Sequence, residues 1–167
     1  MKWFNKRTTR RIVAASVLAL AGLSASGAVL ATPSSGITQV VVGSAVYGDI
    51  DVDARRPDWK AWLKVKGTSD VFVNSNTAVP GANGGWHSHP GLSIVSVVAG
   101  AVTLYDADDS TCSPTVVTAG HGFVEPGDHV HLVRNEGPVD AKWITTAIRP
   151  AGSAGRIDQP DPGTCPF

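Results

Sequence analysis

The sequence predicts an all-β domain, a sandwich or barrel of short strands. Three observations carry that. Most segments alternate apolar and polar residues with the two-residue period of a strand. No segment keeps helical periodicity over a useful length. Turn signals built from Gly, Pro, Asn and Asp recur roughly every 8–12 residues, the spacing of sandwiches and barrels.

The amino end is set apart from that domain. "MKWFNKRTTRR" is basic, an apolar run follows from Ile12 to Leu23, and small residues end in "AVLA". This is the layout of a secretory signal peptide over residues 1–31, with a cut after Ala31 and a cut after Ala28 as the next choice. The run is short for a spanning helix, which needs about 20 residues; an uncleaved anchor is the competing reading. "TRRIV", Thr9 to Val13, is similar to the start of a twin-arginine export signal. The whole chain has 14 Lys+Arg and 14 Asp+Glu, and residues 1–31 hold five of the basic residues and no acidic one. Cleavage leaves nine basic against 14 acidic residues, a net charge of −5. Without a basic patch to neutralise phosphates, nucleic acid is not an expected partner. Nor is stable membrane association after cleavage.

The strands are expected over residues 37–148. "ITQVVVGSAVYGDIDV" is rich in β-branched residues. "DWKAWLKV" sets Trp59, Ala61, Leu63 and Val65 against Lys60, Trp62, Lys64 and Lys66. "DVFVNSNTAVP" alternates from Val71 to Val79. "LSIVSVVAG" and "AVTLYD" meet at Gly100 and read as a hairpin. "TVVTAGHGFVEPGDHVHLVRNEG" holds two or three short strands, and "DAKWITTAIRP" closes the series. Trp59, Trp62 and Trp143 read as core or groove residues. The tail, residues 149–167, is rich in Gly, Pro and Asp, has no periodicity and is expected to lie irregularly over the surface.

The chain has two cysteines, Cys112 and Cys165. In an exported protein an even count favours a disulfide, which would pin the tail to the loop "DADDSTCSP". Neither cysteine has a CxxC partner or a nearby histidine, so a thiol metal site is the weaker reading.

The chemistry lies in the histidines. His87 and His89 are one residue apart ahead of an apolar run, so on a strand both imidazoles share a face. The stretch Gly81–Gly100 runs G-x5-H-x-H and closes on Gly100. The stretch Gly120–Asn135 holds Gly120, Pro126, His131 and Asn135 in the pattern G-x5-P-x-G-x2-H-x3-N, with Asp128 at the second glycine. With these two motifs, in this order, the chain resembles the cupins. The resemblance covers roughly Ser69 to Ile148. It implies a single-domain double-stranded β-helix, a jelly-roll barrel, with motif 1 at 81–100 and motif 2 at 120–135. It also implies one divalent transition metal on His87, His89 and His131. Fe(II) is the first expectation, with Mn, Zn, Ni or Cu as alternatives, since neutral imidazole suits several of these ions.

One position departs from the family. Its glutamate ligand, seven residues before Gly100, is Ser93 here. Three readings follow. The site uses three histidines alone, resembling the thiol dioxygenases of the superfamily. Or another residue supplies the carboxylate, with Glu125 the candidate, because an inward carboxylate needs a partner. Or the metal is lost. His129 reads as a rim or supporting residue and, with Glu125 and Tyr105, as a candidate for proton transfer. His121 is expected to be exposed, and Trp86 to face away from His87. Asn135 reads as a turn stabiliser, and Arg134 with Glu136 as a surface pair of little energy.

The functional expectation is an exported metalloprotein acting on a small molecule, a dioxygenase-like oxidoreductase if it is an enzyme. The alternatives are a non-catalytic metal or small-ligand binding protein and a metal-free isomerase or epimerase. The apolar amino-terminal strand makes a homodimer an expectation by analogy with the family.

Overall fold

The computed structural model describes residues 31–167. The expected signal peptide therefore lies outside the described residues, except for Ala31. The described chain is all-β, without a helix. Its strands are β1 (Ser35–Tyr47), β2 (Ile50–Arg56), β3 (Trp59–Val65), β4 (Ser69–Asn83), β5 (His87–Ser88) and β6 (Leu92–Ala99). They continue with β7 (Ala101–Asp106), β8 (Thr115–Thr118), β9 (Gly122–Glu125), β10 (His131–Arg134), β11 (Ala141–Pro150) and β12 (Ile157–Asp158).

Two antiparallel leaves make the barrel wall. One runs β1–β4–β11–β6–β9. The other runs β8–β7–β10–β5–β12. They join where Arg134 of β10 pairs with Asn83 of β4. This is the double-stranded β-helix architecture expected from the two motifs.

The expected hairpin at Gly100 does not form. β6 pairs with β11 and β9, whereas β7 pairs with β10 and β8. The chain crosses from one leaf to the other at Gly100, whose φ is +66°. A Cβ there would lie 2.6 Å from the Asp140 carbonyl oxygen. A tight hairpin and a tight crossing both call for glycine, so the local sequence does not separate them.

The apolar side chains divide into two clusters. Between the leaves lie Val95, Val97, Val102, Val133 and Trp143. On the far side of the second leaf lie Trp86, Tyr105, Leu132 and Cys165. Register explains the division. His131 pairs with Asp106 and turns inward, so the next pair, Leu132 with Tyr105, turns outward. Each large side chain buried in this way contributes about 1.5–3 kcal/mol.

The tail covers that outer cluster, and it is less irregular than its composition implied. Ile157 and Asp158 form β12 against Ser88 and His87. The Gln159 N–H donates to the Trp86 carbonyl, and its side chain donates to Ser88 Oγ. A two-residue strand is too short to leave a periodic signal, which is why the sequence conceals it. Cys112 and Cys165 form the expected disulfide, with Cα atoms 5.2 Å apart. Such bonds persist in oxidising compartments, which is consistent with an exported location.

Trp59 and Trp62 are not core residues; they are 55 % and 64 % exposed. β2 and β3 pair only with each other, and no layer covers them. Trp143, in contrast, is buried. β1 follows one edge of β4 and leaves Val40, Val41, Val42 and Val46 exposed.

The disulfide closes a chain separation of 53 residues. By the chain-entropy relation, its loss costs about 4 kcal/mol at most. Urea unfolding with and without reductant is expected to show a lower midpoint for the reduced protein. Equal midpoints would remove the tail as a stabilising element.

Candidate metal centre

β5 and β10 lie side by side, and His87 is the direct cross-strand partner of His131. His89 follows just past the two-residue β5. The ring centroids of His87 and His131 are 4.4 Å apart, those of His87 and His89 5.0 Å, and those of His89 and His131 5.2 Å. Each ring offers a ligand atom within 4.8 Å of the others. His87 and His131 are buried and His89 is half-buried.

All three rings are oriented the same way by the backbone. His87 Nδ1 lies 2.8 Å from the Gly85 carbonyl, His89 Nδ1 2.8 Å from that of Gly155, and His131 Nδ1 3.0 Å from that of His129. A carbonyl only accepts, so each Nδ1 carries the proton and each Nε2 presents a lone pair. This is the support that ligating imidazoles require.

The fourth group comes from the opposite leaf. Glu125, at the end of β9, is the direct partner of Ser93 on β6. Opposed residues of an antiparallel pair share a face. The carboxylate therefore enters the same space as the Ser93 side chain, one strand over. Glu125 Oε1 is 3.1 Å from His131 Nε2, and Oε2 is 3.4 Å from His89 Nε2. Buried His131 Nε2 has no hydrogen-bond partner in spite of that short distance. Lone pairs of the Nδ1–H tautomer face an ionised carboxylate, and no donor stands between them. A cation resolves this, either a proton or a metal ion. The three imidazole nitrogens together can hold a divalent transition metal, and the Glu125 carboxylate stands beside two of them.

The charges follow from the same geometry. Burial, together with the neighbouring His131, holds His87 down to about 3. Burial also acts to lower His89, but the hydrogen bond and charge of Glu125 outweigh it and raise that imidazole. Burial acts to raise Glu125, yet its two histidines hold the carboxyl well below the usual carboxylate range.

The other candidates lie around this centre. The His129 ring turns to Asp106, with Nε2 3.1 Å from Oδ2, so His129 supports the site with its main-chain carbonyl. Tyr105 faces the outer cluster, and its hydroxyl donates to Glu136 at 3.0 Å. Glu136 also accepts from Arg134 at 3.2 Å, so these three form one network with Phe167 against Tyr105 and Arg134. His121 is exposed. Trp86 is buried in the outer cluster, turned from His87. Asn135 closes its turn: Nδ2 donates to the Ala78 and Val139 carbonyls and Oδ1 accepts from the Gly137 N–H.

Asp128 explains why the family pattern has glycine there. Its φ is +61°, in the left-handed region, and its N–H donates to the His89 carbonyl at 2.7 Å. Aspartate tolerates this conformation better than most residues.

The tail residues are what sequence reasoning missed. The carbonyl that orients His89 belongs to Gly155, and Arg149, Gly155 and Arg156 line the cavity beside the histidines. That cavity measures about 550 Å³. Nothing in "PAGSAGRIDQP" signals this, because the contact exists only once β12 has paired.

Residues 77–147 match the family model of the cupin domain. No curated protein matches the chain. Among solved structures, a conserved protein with a double-stranded β-helix domain from Klebsiella pneumoniae is 17 % identical. The match covers 67 % of this chain and 85 % of that one, with a TM-score of 0.45. A conserved protein of unknown function from Streptococcus pyogenes is 17 % identical, over 49 % of this chain and 67 % of that one, with a TM-score of 0.42. A predicted oxalate decarboxylase from Thermotoga maritima is 18 % identical, over 50 % of this chain and 83 % of that one, with a TM-score of 0.41.

Two outcomes are expected. Between about 6.5 and about 3, the unfolded chain carries a proton on His87 that the native state lacks. Stability of the metal-free protein therefore falls as pH drops through that window. Glu125 adds to the fall at the acid end, since its lowered value makes a contribution that protonation removes. His89 acts oppositely: its contribution is full below its unfolded value and is lost as pH rises through its raised one. Urea midpoints at pH 4 and pH 6 check this, and equal values would mean that His87 is not buried as the neutral form. Separately, Asp128→Val is expected to cost about 1–2 kcal/mol by the left-handed penalty, while Asp128→Gly is not. Thermal unfolding of both variants decides it.

Proposed function

We propose that this chain, which carries a cupin domain, binds one divalent transition metal through His87, His89, His131 and Glu125 and acts as an exported metalloenzyme on a small molecule. The observation behind this is the convergence of three imidazoles, every Nδ1–H already committed to a carbonyl, with the Glu125 carboxylate beside two of them. Ser93 leaves the family's carboxylate position neutral, and Glu125 restores the charge from the neighbouring strand. A bound ion of this kind supplies Lewis acidity and, where it is redox-active as Fe(II) is, one-electron chemistry with dioxygen.

The protein's own residues do the rest. The three carbonyls fix the rings with Nε2 inward. The adjoining cavity, half-enclosed by the two leaves and the tail, provides room for a small molecule beside the four donors. Glu125, near two imidazoles, holds a proton with His89 when no ion is bound, and metal loading releases it.

Metal analysis after loading with Fe(II), Mn(II) or Zn(II) is expected to give one equivalent per chain. His131→Ala is expected to lose it, and Glu125→Ala to weaken it at least ~10-fold. The exchange Ser93→Glu with Glu125→Ser returns the carboxylate to the same row and is expected to recover most of the affinity. Unchanged metal content in His131→Ala would refute the ligand set.

A further inference from the structure

One cation in the cavity has no anion. Arg149 lies near the end of β11, in phase with Thr145 and Ala147, and all three line the cavity. Its guanidinium carbon sits 4.2 Å from the centre of the Phe72 ring. Its Nε is buried without a partner. Among the described residues, no carboxylate reaches it within ion-pair distance. Asp70, opposite on β4, accepts instead from the Gly152 N–H. The guanidinium is held in position by the tail: a Cβ on Gly155 would lie 2.1 Å from Nη1. The Gly155 carbonyl in turn orients His89, so the free cation and the histidine rest on one residue.

A second group in the same cavity is also without a partner. Asn74, on β4, is 9 % exposed, and its Oδ1 has no donor. Asn76, two residues on, is satisfied by contrast: Gln39 donates to its Oδ1, and its Nδ2 donates to Thr145. Arg156 also lines the cavity; its Nη2 is buried without a partner, but Asp158 pairs with its Nε and balances its charge.

We propose that Arg149 and Asn74 form the specificity subsite of this cavity and that its ligand is a small hydroxylated organic acid. The Arg149 fork receives the carboxylate, and a hydroxyl of the ligand donates to Asn74 Oδ1. The inference rests on the metal reading above, since the acid would lie beside the four donors. Guanidinium keeps its proton at any physiological pH, so it needs an acceptor, and an anionic one also balances its charge. A planar carboxylate matches one fork with two parallel hydrogen bonds. A phosphate dianion calls for more than the single unpaired cation present here. Asn74 Oδ1 then discriminates, because a ligand lacking the hydroxyl leaves a buried acceptor unpaired.

Calorimetric titration of the zinc-loaded protein tests this without any turnover. Glycolate is the probe, with acetate, glycolamide and inorganic phosphate as comparisons. Glycolate is expected to bind at least ~10-fold tighter than glycolamide and than acetate. Arg149→Met and Arg149→Lys are both expected to lose that affinity at unchanged zinc content, the lysine because it lacks the fork. If the methionine variant fails to fold, the lysine variant decides. Asn74→Ala is expected to bind glycolate and acetate alike. Glycolate affinity unaffected in the Arg149 variants, or phosphate binding tighter than glycolate, would overturn the subsite. Titration of the metal-free protein separates the two readings. Zinc loading without acid binding sinks the subsite alone; acid binding that needs Arg149, in a chain that takes up no zinc, sinks the metal reading alone.

Discussion

Three imidazole Nε2 atoms and a carboxylate meet inside the barrel, with every Nδ1 turned away to a backbone carbonyl. That constraint organises the molecule. The groups come from both leaves: His87, His89 and His131 from the β5–β10 side, Glu125 from β9 across the cavity. Anions and acceptors buried together are unstable unless a cation joins them. The surrounding structure therefore has to hold the four in place without satisfying them. It does so through the opposite ring nitrogens, each tied to a backbone carbonyl.

Those carbonyls show how far the site depends on the whole chain. Gly85 sits just before β5, His129 just before β10, and Gly155 in the tail. Main-chain groups held by strand pairing move little, so they fix rings better than mobile side chains would. The tail earns its position through the outer cluster around Trp86 and Leu132 and through the disulfide to Cys112. Stability on the outer face of one leaf is thus coupled to ring orientation on its inner face. The Gly155 carbonyl is the link, and Arg149 packs against the same residue.

The exchange of carboxylate between strands follows from register. Ser93 and Glu125 are opposed on β6 and β9, so either position delivers a side chain to the same row of the barrel. A carboxylate absent from one strand and present on the next leaves the fold unaltered, because both positions point into the same row of the barrel. Motif 1 without its glutamate therefore still leaves a carboxylate, that of Glu125, beside His89 and His131.

Much of this was legible in the sequence. Two-residue periodicity and regular turns identified an all-β domain, and two spaced motifs identified the barrel and singled out His87, His89 and His131. Two cysteines in an exported-looking chain announced their bond, whereas the left-handed backbone of Asp128 showed only in the structure. The legible features are local or follow fixed spacings, so residue order alone encodes them. Tertiary structure decided what depends on partners distant in sequence. Gly100 became a crossing between leaves, Trp59 and Trp62 fell on an uncovered hairpin, and Tyr105 turned outward. Glu125 came to stand beside two histidines through the pairing of β9 with β6, and the tail reached His89 through β12 together with its disulfide and the outer cluster. Neither register nor a two-residue pairing leaves a pattern in composition, because both are set by which strand edges are free once the barrel has closed.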